Sequence, residues 1–275
     1  MIRIVSWYSC GAASTVATKL ALIDHDVIIN NCEVVEEHPD NTRFLQDCSE
    51  WFGKKINIMG NDDYGRSIHK VFEKKKYICG TAGAPCTNVL KKQLRIDTQQ
   101  PNDVQVFGYT VEEQDRVDRF IDANNEVNII TPLIDRGLTK KDCLAIVADA
   151  GIELPEMYQL GYKNNNCRGC VKASSPRYWK KIEQDFPVDF KKMSDQENNI
   201  GASICKIDLK TVAKRYPEKY EELGRPATTS ESGGATYWRP RLTELPEDIE
   251  PMDDTVDIQC GIFCEMAEQD IKGEQ

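Results

Sequence analysis

The sequence predicts an α/β protein with a doubly wound, mostly parallel sheet, and three observations carry that expectation. Up to residue 135, short β-branched runs alternate with segments of helical apolar spacing. Strands separated by helices of this length pair in parallel, with helices on both faces of the sheet. The first run ends in a cluster of very small residues, Ser9-Cys-Gly-Ala-Ala-Ser14, and a helical pattern follows at once.

In chain order, residues 2–6 form the first strand, 15–23 (TVATKLALI) a helix and 26–35 (DVIINNCEVV) the second strand. Residues 41–52 set Phe44, Leu45, Cys48 and Trp51 or Phe52 on one side of a helix. Residues 56–59 are a short third strand and 67–75 a helix. A Gly/Ala/Pro interruption at 79–85 precedes a helix over 87–94. Strand 103–109 (DVQVFGY), helix 112–123 and strand 127–130 complete the alternation. Thr139 is placed to cap a helix over 139–150, with Gly151 just past its end. Another helix starts near Pro176. From Gly201 the pattern loosens, with a loop-like stretch at 226–234 and an acidic, Pro-interrupted one at 245–257. By sequence the chain divides into an α/β domain over 1–200 and an irregular C-terminal extension over 201–275.

At 40% hydrophobic residues the chain can bury a core, which sets aside wholesale disorder. No apolar run is long enough to cross a bilayer, and no secretion signal opens the chain. A soluble, cytoplasmic protein without a membrane partner is expected. The net charge of −10 opposes general attraction to nucleic acid. Locally, however, Lys70, Lys74, Lys75, Lys76, Lys91, Lys92 and Arg95 crowd together, as solvated helix faces or as a rim for a phosphorylated ligand or RNA. The eleven cysteines are odd in number and point to metal or redox chemistry rather than disulfide stapling. Cys32, Cys48 and Cys143 read as ordinary buried small residues.

In such a sheet, residues 9–14 are the first βα loop, at the carboxyl end of the first strand. Small side chains let backbone N–H groups approach a ligand, the helix start favours an anion, and Ser9 and Ser14 add hydroxyl donors. The stretch resembles the Ser-Gly-Gly-x-x-Ser phosphate loop of the PP-loop, or adenine nucleotide α-hydrolase-like, superfamily. Ala12 and Ala13 stand where many ATP-cleaving members carry Lys and Asp. That turns the resemblance toward the phosphoadenylyl-sulfate (PAPS) and adenylyl-sulfate (APS) reductases. Pro85-Cys-Thr-Asn-Val-Leu-Lys-Lys is similar to their Cys-Thr-x-x-Leu-Lys segment. Gly108-Tyr-Thr-Val-Glu-Glu-Gln-Asp-Arg116 resembles their Gly-x-Arg-x-x-Glu-x-x-x-Arg stretch, with Thr110 in place of the first Arg and Arg116 one position before the last. The resemblance runs over residues 2–193. It implies a Rossmann-like, PP-loop-type fold and a nucleotide held by Ser9, Cys10, Gly11, Ala12, Ala13, Ser14, Glu113 and Arg116.

Cys167-Arg-Gly-Cys170 aims two sulfurs at one point, as in zinc and iron–sulfur half-sites or a redox dithiol. Cys86 precedes Cys167 with 80 residues between them. This layout resembles that of APS reductases and implies a [4Fe–4S] cluster on Cys86, Cys167 and Cys170. Zinc is the second choice of metal, and Cys79, Cys260 or Cys264 supplies the fourth ligand unless one iron stays open. Residues 257–265 resemble the C-terminal Glu-Cys-Gly-Ile/Leu-His motif whose cysteine attacks the sulfate sulfur. Cys260 takes that place, with Gln259 for Glu and Phe263 for His. Cys264 either resolves the resulting S-sulfocysteine, as thioredoxin or glutaredoxin also could, or forms a second half-site with Cys260.

Three lesser groups stand open between packing and binding: His38 within residues 36–40, the trio Lys91, Lys92 and Arg95 as a sulfate or phosphate clamp, and Trp238-Arg-Pro-Arg241 against a second phosphate or RNA. The resemblance implies an oxidoreductase that reduces PAPS or APS through Cys260. An ATP-dependent PP-loop sulfurtransferase acting on tRNA is the main alternative, and a non-catalytic nucleotide or redox sensor the third.

Overall fold

The computed structural model describes residues 2–231, 233–234, 236–253, 258 and 262–273. Its first half comprises β1 (Ile4–Trp7), α1 (Ala12–Asp24), β2 (Val27–Cys32), α2 (Asn41–Phe52), β3 (Ile56–Met59), α3 (Ile68–Lys75), α4 (Pro85–Thr87), α5 (Gln93–Thr98), β4 (Val104–Val106), α6 (Gln114–Ala123) and β5 (Asn128–Ile130). There follow α7 (Pro132–Asp135), α8 (Lys140–Asp149), α9 (Glu156–Gln159), α10 (Pro176–Asp185), α11 (Pro187–Ile200), β6 (Ile207–Asp208), α12 (Leu209–Arg215), α13 (Pro217–Glu222), β7 (Tyr237–Trp238) and α14 (Ile262–Lys272).

Strands β1 to β5 form one all-parallel sheet in the order β3-β2-β1-β4-β5, flanked by helices, as the doubly wound expectation requires. Strand alternation sends Ile4, Val27, Ile29 and Val106 into the core shared with α1, α2 and α8. On the same face the buried Ser6 hydroxyl is satisfied by Thr18 of α1 at 2.6 Å. The opposite face presents Val5, Trp7, Ile28, Asn30, Asn57 and Met59 to a cavity of about 220 Å³. Strand order reverses between β1 and β4. Their outgoing loops diverge, and the carboxyl end of that strand pair is where ligands of such sheets bind.

Two expected elements come out differently. The helix over 87–94 is a short turn begun by Pro85, then a π-helical turn at Asn88–Lys92, then α5. Proline pre-sets the first turn, and the wider turn after it shifts which side chains share a face. The strand over 103–109 keeps only Val104–Val106, because Thr110 caps a 3-10 turn at Val111–Glu113. The cap foreseen on α8 is present: the Thr139 hydroxyl accepts from the Asp142 amide at 3.2 Å, and the Asp142 carboxylate accepts from the Thr139 amide at 2.8 Å. Gly151 follows at φ +76°, a left-handed helix end.

The chain forms two compact units. Unit 1 comprises Met1–Arg66, Leu90–Cys167 and Asp254–Gln275; unit 2 comprises Ser67–Val89 and Arg168–Asp253. In unit 1, α14 packs on α1 and α8, with Cys264 and Ala267 buried. In unit 2, α11 packs on α10 and α3, and Trp179 is fully buried. Backbone pairing ties residue 206 to 174 at 2.9 Å. The buried Glu197 of α11 accepts from the amides of Ile204 and Leu242 at 2.6 and 2.7 Å. These bonds join the segment before residue 200 to the one after it. Beyond Gly201 the described residues carry the antiparallel pair β6–β7 with α12 and α13. Among the described residues no helix is long and apolar enough to cross a membrane.

Candidate nucleotide loop and thiol sites

The loop after β1 turns on Cys10, which is fully buried and holds a left-handed φ of +56°. A non-glycine residue there is strained and needs neighbours to fix it. Asn165 supplies one, donating to the Cys10 carbonyl at 2.6 Å and to Asn41 Oδ1 at 2.8 Å. Asn31 supplies another, donating to the Tyr8 carbonyl at 2.9 Å and reaching the Cys10 sulfur at 3.5 Å. So fixed, the loop aims its donors at one place. The Ser9 amide, the Ser9 hydroxyl and the Gly11 amide converge on Ser14 Oγ at 3.1, 3.2 and 3.3 Å, while Ser14 Oγ donates to the Gly11 carbonyl at 2.8 Å. A hydroxyl oxygen has two acceptor lone pairs, so three donors oversubscribe it, and each contact is long. An anionic oxygen accepts more bonds and shorter ones. The first turn of α1 contains no acidic residue, leaving its partial positive charge unopposed.

Tyr158 also serves this loop. Its hydroxyl accepts from the Ala12 amide at 3.3 Å, and burial pushes its pKa up to about 12, so it stays protonated. In the loop after β4, Gly108 lies against the start of α1: a Cβ there would sit 2.6 Å from the Ser14 nitrogen and 2.8 Å from the Ala13 carbonyl carbon. That contact closes the crevice floor where the strand order reverses. Next to it, Glu113 accepts from Thr110 and pairs with Arg116 at 2.5 Å, and Arg116 stacks on Tyr109 at 5.1 Å. The sequence placed Ser9 to Ser14, Glu113 and Arg116 at one site, and the structure brings them to the same end of the sheet. Ala12 and Ser14 are buried, so Ala12 offers a ligand only its backbone.

Two lysines approach the same end. Lys91 bonds Glu37 Oε1 at 2.8 Å; the Glu37 carboxyl side chain is 9% exposed. Burial opposes the charge on Lys91, yet Glu37 and nearby Cys167 and Cys32 overcome it and hold the amine above the usual lysine range. Cys10 also feels both Glu37 and Lys91, which puts the pair beside the loop. Lys140 lies over the Tyr158 ring at 5.9 Å, and burial lowers its pKa. Of the clamp expected from sequence, only Lys91 is here. Lys92 is exposed, and Arg95 is buried over Phe120 with a 2.8 Å bond to Gln99. His38 accepts from the Asp40 amide at 3.2 Å.

The second set of candidates lies in unit 2, which contains Cys79, Cys86 and Cys170, while Cys167 is the last residue of a unit 1 segment. The turn at Cys170 is anchored from α10: its amide donates to the Tyr178 hydroxyl at 2.8 Å, and the Trp179 indole donates to the Ala173 carbonyl at 2.7 Å. Arg168 pairs with Asp189 at 3.4 Å. Gly169 has φ +78° with the Trp179 ring 3.2 Å from where its Cβ would be, so both conformation and space require glycine. Burial raises the thiol pKa of Cys86, with Cys170 adding to it, and Lys172 counters. Burial likewise raises Cys79, which feels Glu197, Lys206, Arg239 and Cys170. Cys205, passed over in the sequence because nothing near it forms a motif, is fully buried and feels Glu197 and Cys79. The donor chemistry suits a thiolate-bound metal. Among the described residues, no three Cys, His, Asp or Glu side chains are already grouped to hold an ion.

The expected nucleophile Cys260 lies outside the described residues, as does Gln259. Cys264 is disulfide-bonded and buried, so in this form it offers no thiolate to a metal. Sequence reasoning missed Tyr158, Asn165, Asn31 and Lys140. The Asn-rich run 164–166 before Cys167 was the only available signal. No protein-family model matches the chain, and no curated protein matches it.

Proposed function

We propose that this protein binds an adenine nucleotide at the first βα loop and reduces adenylylated sulfate, PAPS or APS, in the manner of the PAPS reductase-like family. The observation that supports this best is the convergence of three donors on a single hydroxyl at the start of a helix with no acid in its first turn. In this reading the nucleotide's phosphate or sulfate oxygens take those donors, and Ser14 keeps the loop closed through its bond to Gly11. Lys91 and Lys140 add positive charge, and Tyr158 holds the Ala12 amide in place. Donors fixed before the reaction stabilise charge on the departing nucleotide without reorganising.

The Cys260 thiolate attacks the sulfate sulfur; the bond from sulfur to the bridging phosphate oxygen breaks, and the nucleotide leaves with that electron pair. The enzyme then carries an S-sulfocysteine. A dithiol such as thioredoxin attacks its thiol sulfur, releases sulfite and becomes a mixed disulfide, which its second thiol resolves. The two electrons come from the dithiol. In unit 2, Cys86 and Cys170, with Cys79 as a further candidate, are the residues that would hold the iron–sulfur cluster, which when bound would supply redox and electrostatic chemistry.

The test is sulfite release by anaerobic protein given PAPS or APS with reduced thioredoxin, and its loss in Cys260→Ser. Pyrophosphate release from ATP that requires tRNA, with no sulfite from either adenylyl sulfate, would replace this reading by the sulfurtransferase one. Nucleotide binding without either product would leave a sensor.

A further inference from the structure

The two units differ sharply in charge. Unit 2 carries 19 Lys and Arg against 16 Asp and Glu, a balance of +3, whereas unit 1 carries 16 against 29, a balance of −13. The overall acidity of the chain therefore belongs to unit 1, and the objection it raises to polyanion binding does not apply to unit 2.

Within unit 2 the β6–β7 pair sorts its residues by face. Ile207 pairs with Trp238 and Asp208 with Tyr237, antiparallel. Trp238 packs on the small core of Ile207, Leu209, Val212 and Ile249, with Lys219 over its ring at 5.4 Å. Alternation turns Tyr237 and Arg239 the other way. Tyr237 is 47% exposed, Lys206 lies over its ring at 5.9 Å, and Arg239 is exposed. Neither Lys206 nor Arg239 has a carboxylate partner among the described residues. Asp208, the nearest acid on the ladder, is engaged with the Thr211 amide and hydroxyl at 2.9 and 2.6 Å as the cap of α12.

An exposed aromatic ring beside two cations that lack a carboxylate partner among the described residues matches the chemistry of a nucleic acid strand. Bases stack on the ring while phosphates meet the cations, and no apolar wedge for a lipid surface stands among these three side chains. We propose that the β6–β7 face bearing Lys206, Tyr237 and Arg239 binds single-stranded nucleic acid. The proposal belongs to unit 2 alone and holds whichever nucleotide unit 1 takes.

The test is fluorescence anisotropy of the full chain with a labelled single strand of about 12 nucleotides, as RNA, as DNA and as a duplex. Binding should weaken with salt. Replacing both cations (Lys206→Gln with Arg239→Gln) should reduce the log–log salt slope by about 1.4, two contacts at ~0.7 each. Tyr237→Ala should weaken binding about tenfold while the salt slope holds, because base stacking contributes ~1–3 kcal/mol per base. Lys191→Gln, on α11, should leave both unchanged. Ultraviolet crosslinking of the wild-type chain should label the peptide containing Tyr237, which needs no variant to fold. Tighter binding to RNA than to DNA, or equal binding, fits the proposal. No binding at low salt, duplex bound as tightly as single strand, or crosslinks confined to unit 1 would overturn it.

Discussion

Gly108→Ala is the substitution on which the loop geometry makes its clearest demand. The added methyl would lie 2.6, 2.7 and 2.8 Å from the Ser14 nitrogen, the Ser14 Cα and the Ala13 carbonyl carbon. Nonbonded heavy atoms come to rest near ~3.5 Å, and all three neighbours are backbone, so no side chain can swing aside. Either the loop after β4 or the start of α1 must move. Overpacking of this kind costs about 1–3 kcal/mol. It also displaces the amides that converge on Ser14, so nucleotide affinity should fall along with stability. Gly151→Ala is the control: φ is +76° with nothing within 4 Å, which predicts backbone strain of about 1 kcal/mol and no change in binding. Urea unfolding followed by circular dichroism, with adenylate titrations on each variant, reads both effects. If Gly108→Ala unfolds at the wild-type midpoint with unchanged m-value and binds nucleotide equally well, the packing of Gly108 against the start of α1 is wrong.

Other expectations follow from single contacts. Thr139→Ala removes the α8 cap and should cost about 1 kcal/mol in the same unfolding assay. Asp103 is held below the usual carboxylate range chiefly by its hydrogen bond from Arg3, paired at 2.6 Å. That stability is present above the unfolded value near pH ~4 and is lost as pH falls through the depressed one. Arg3→Met should therefore be less stable at neutral pH, and the deficit should shrink in acid; an equal deficit at both would refute the linkage. Burial raises the thiols of Cys32 to about 11 and Cys48 to about 12, so at neutral pH iodoacetamide should modify neither in folded protein, as peptide mass mapping would check. Gly169→Ala, which meets both a left-handed φ and the Trp179 ring, should lower anaerobically measured iron and labile sulfide along with stability.

Much of the α/β half was legible because its signal is local and periodic. Residues 41–52 and 56–59 match α2 and β3 in their bounds, where an apolar stripe and a β-branched run leave little choice. The loop was legible for the same reason, since Ser9 to Ser14 are contiguous. What holds that loop was not. Asn165 and Tyr158 reach it from more than a hundred residues away, and a single Asn or Tyr has no pattern to show. The unit boundary was hidden likewise, because it depends on residues 67–89 packing with 168–253 and on α14 returning to the sheet. Cys205 escaped because burial beside Glu197 and Cys79 is a tertiary fact.

The most direct measurement is calorimetric titration of PAPS, APS, ATP and AMP into anaerobic wild-type protein and Ser9→Ala, with thermal shifts alongside. The account predicts saturable binding of at least one adenylate, a raised melting temperature with it, and affinity about tenfold weaker without the Ser9 hydroxyl, one of the three donors, since a hydrogen bond to a charged group contributes ~1.5–3 kcal/mol. No heat and no shift with any of the four, or the same affinity in the variant, would contradict it.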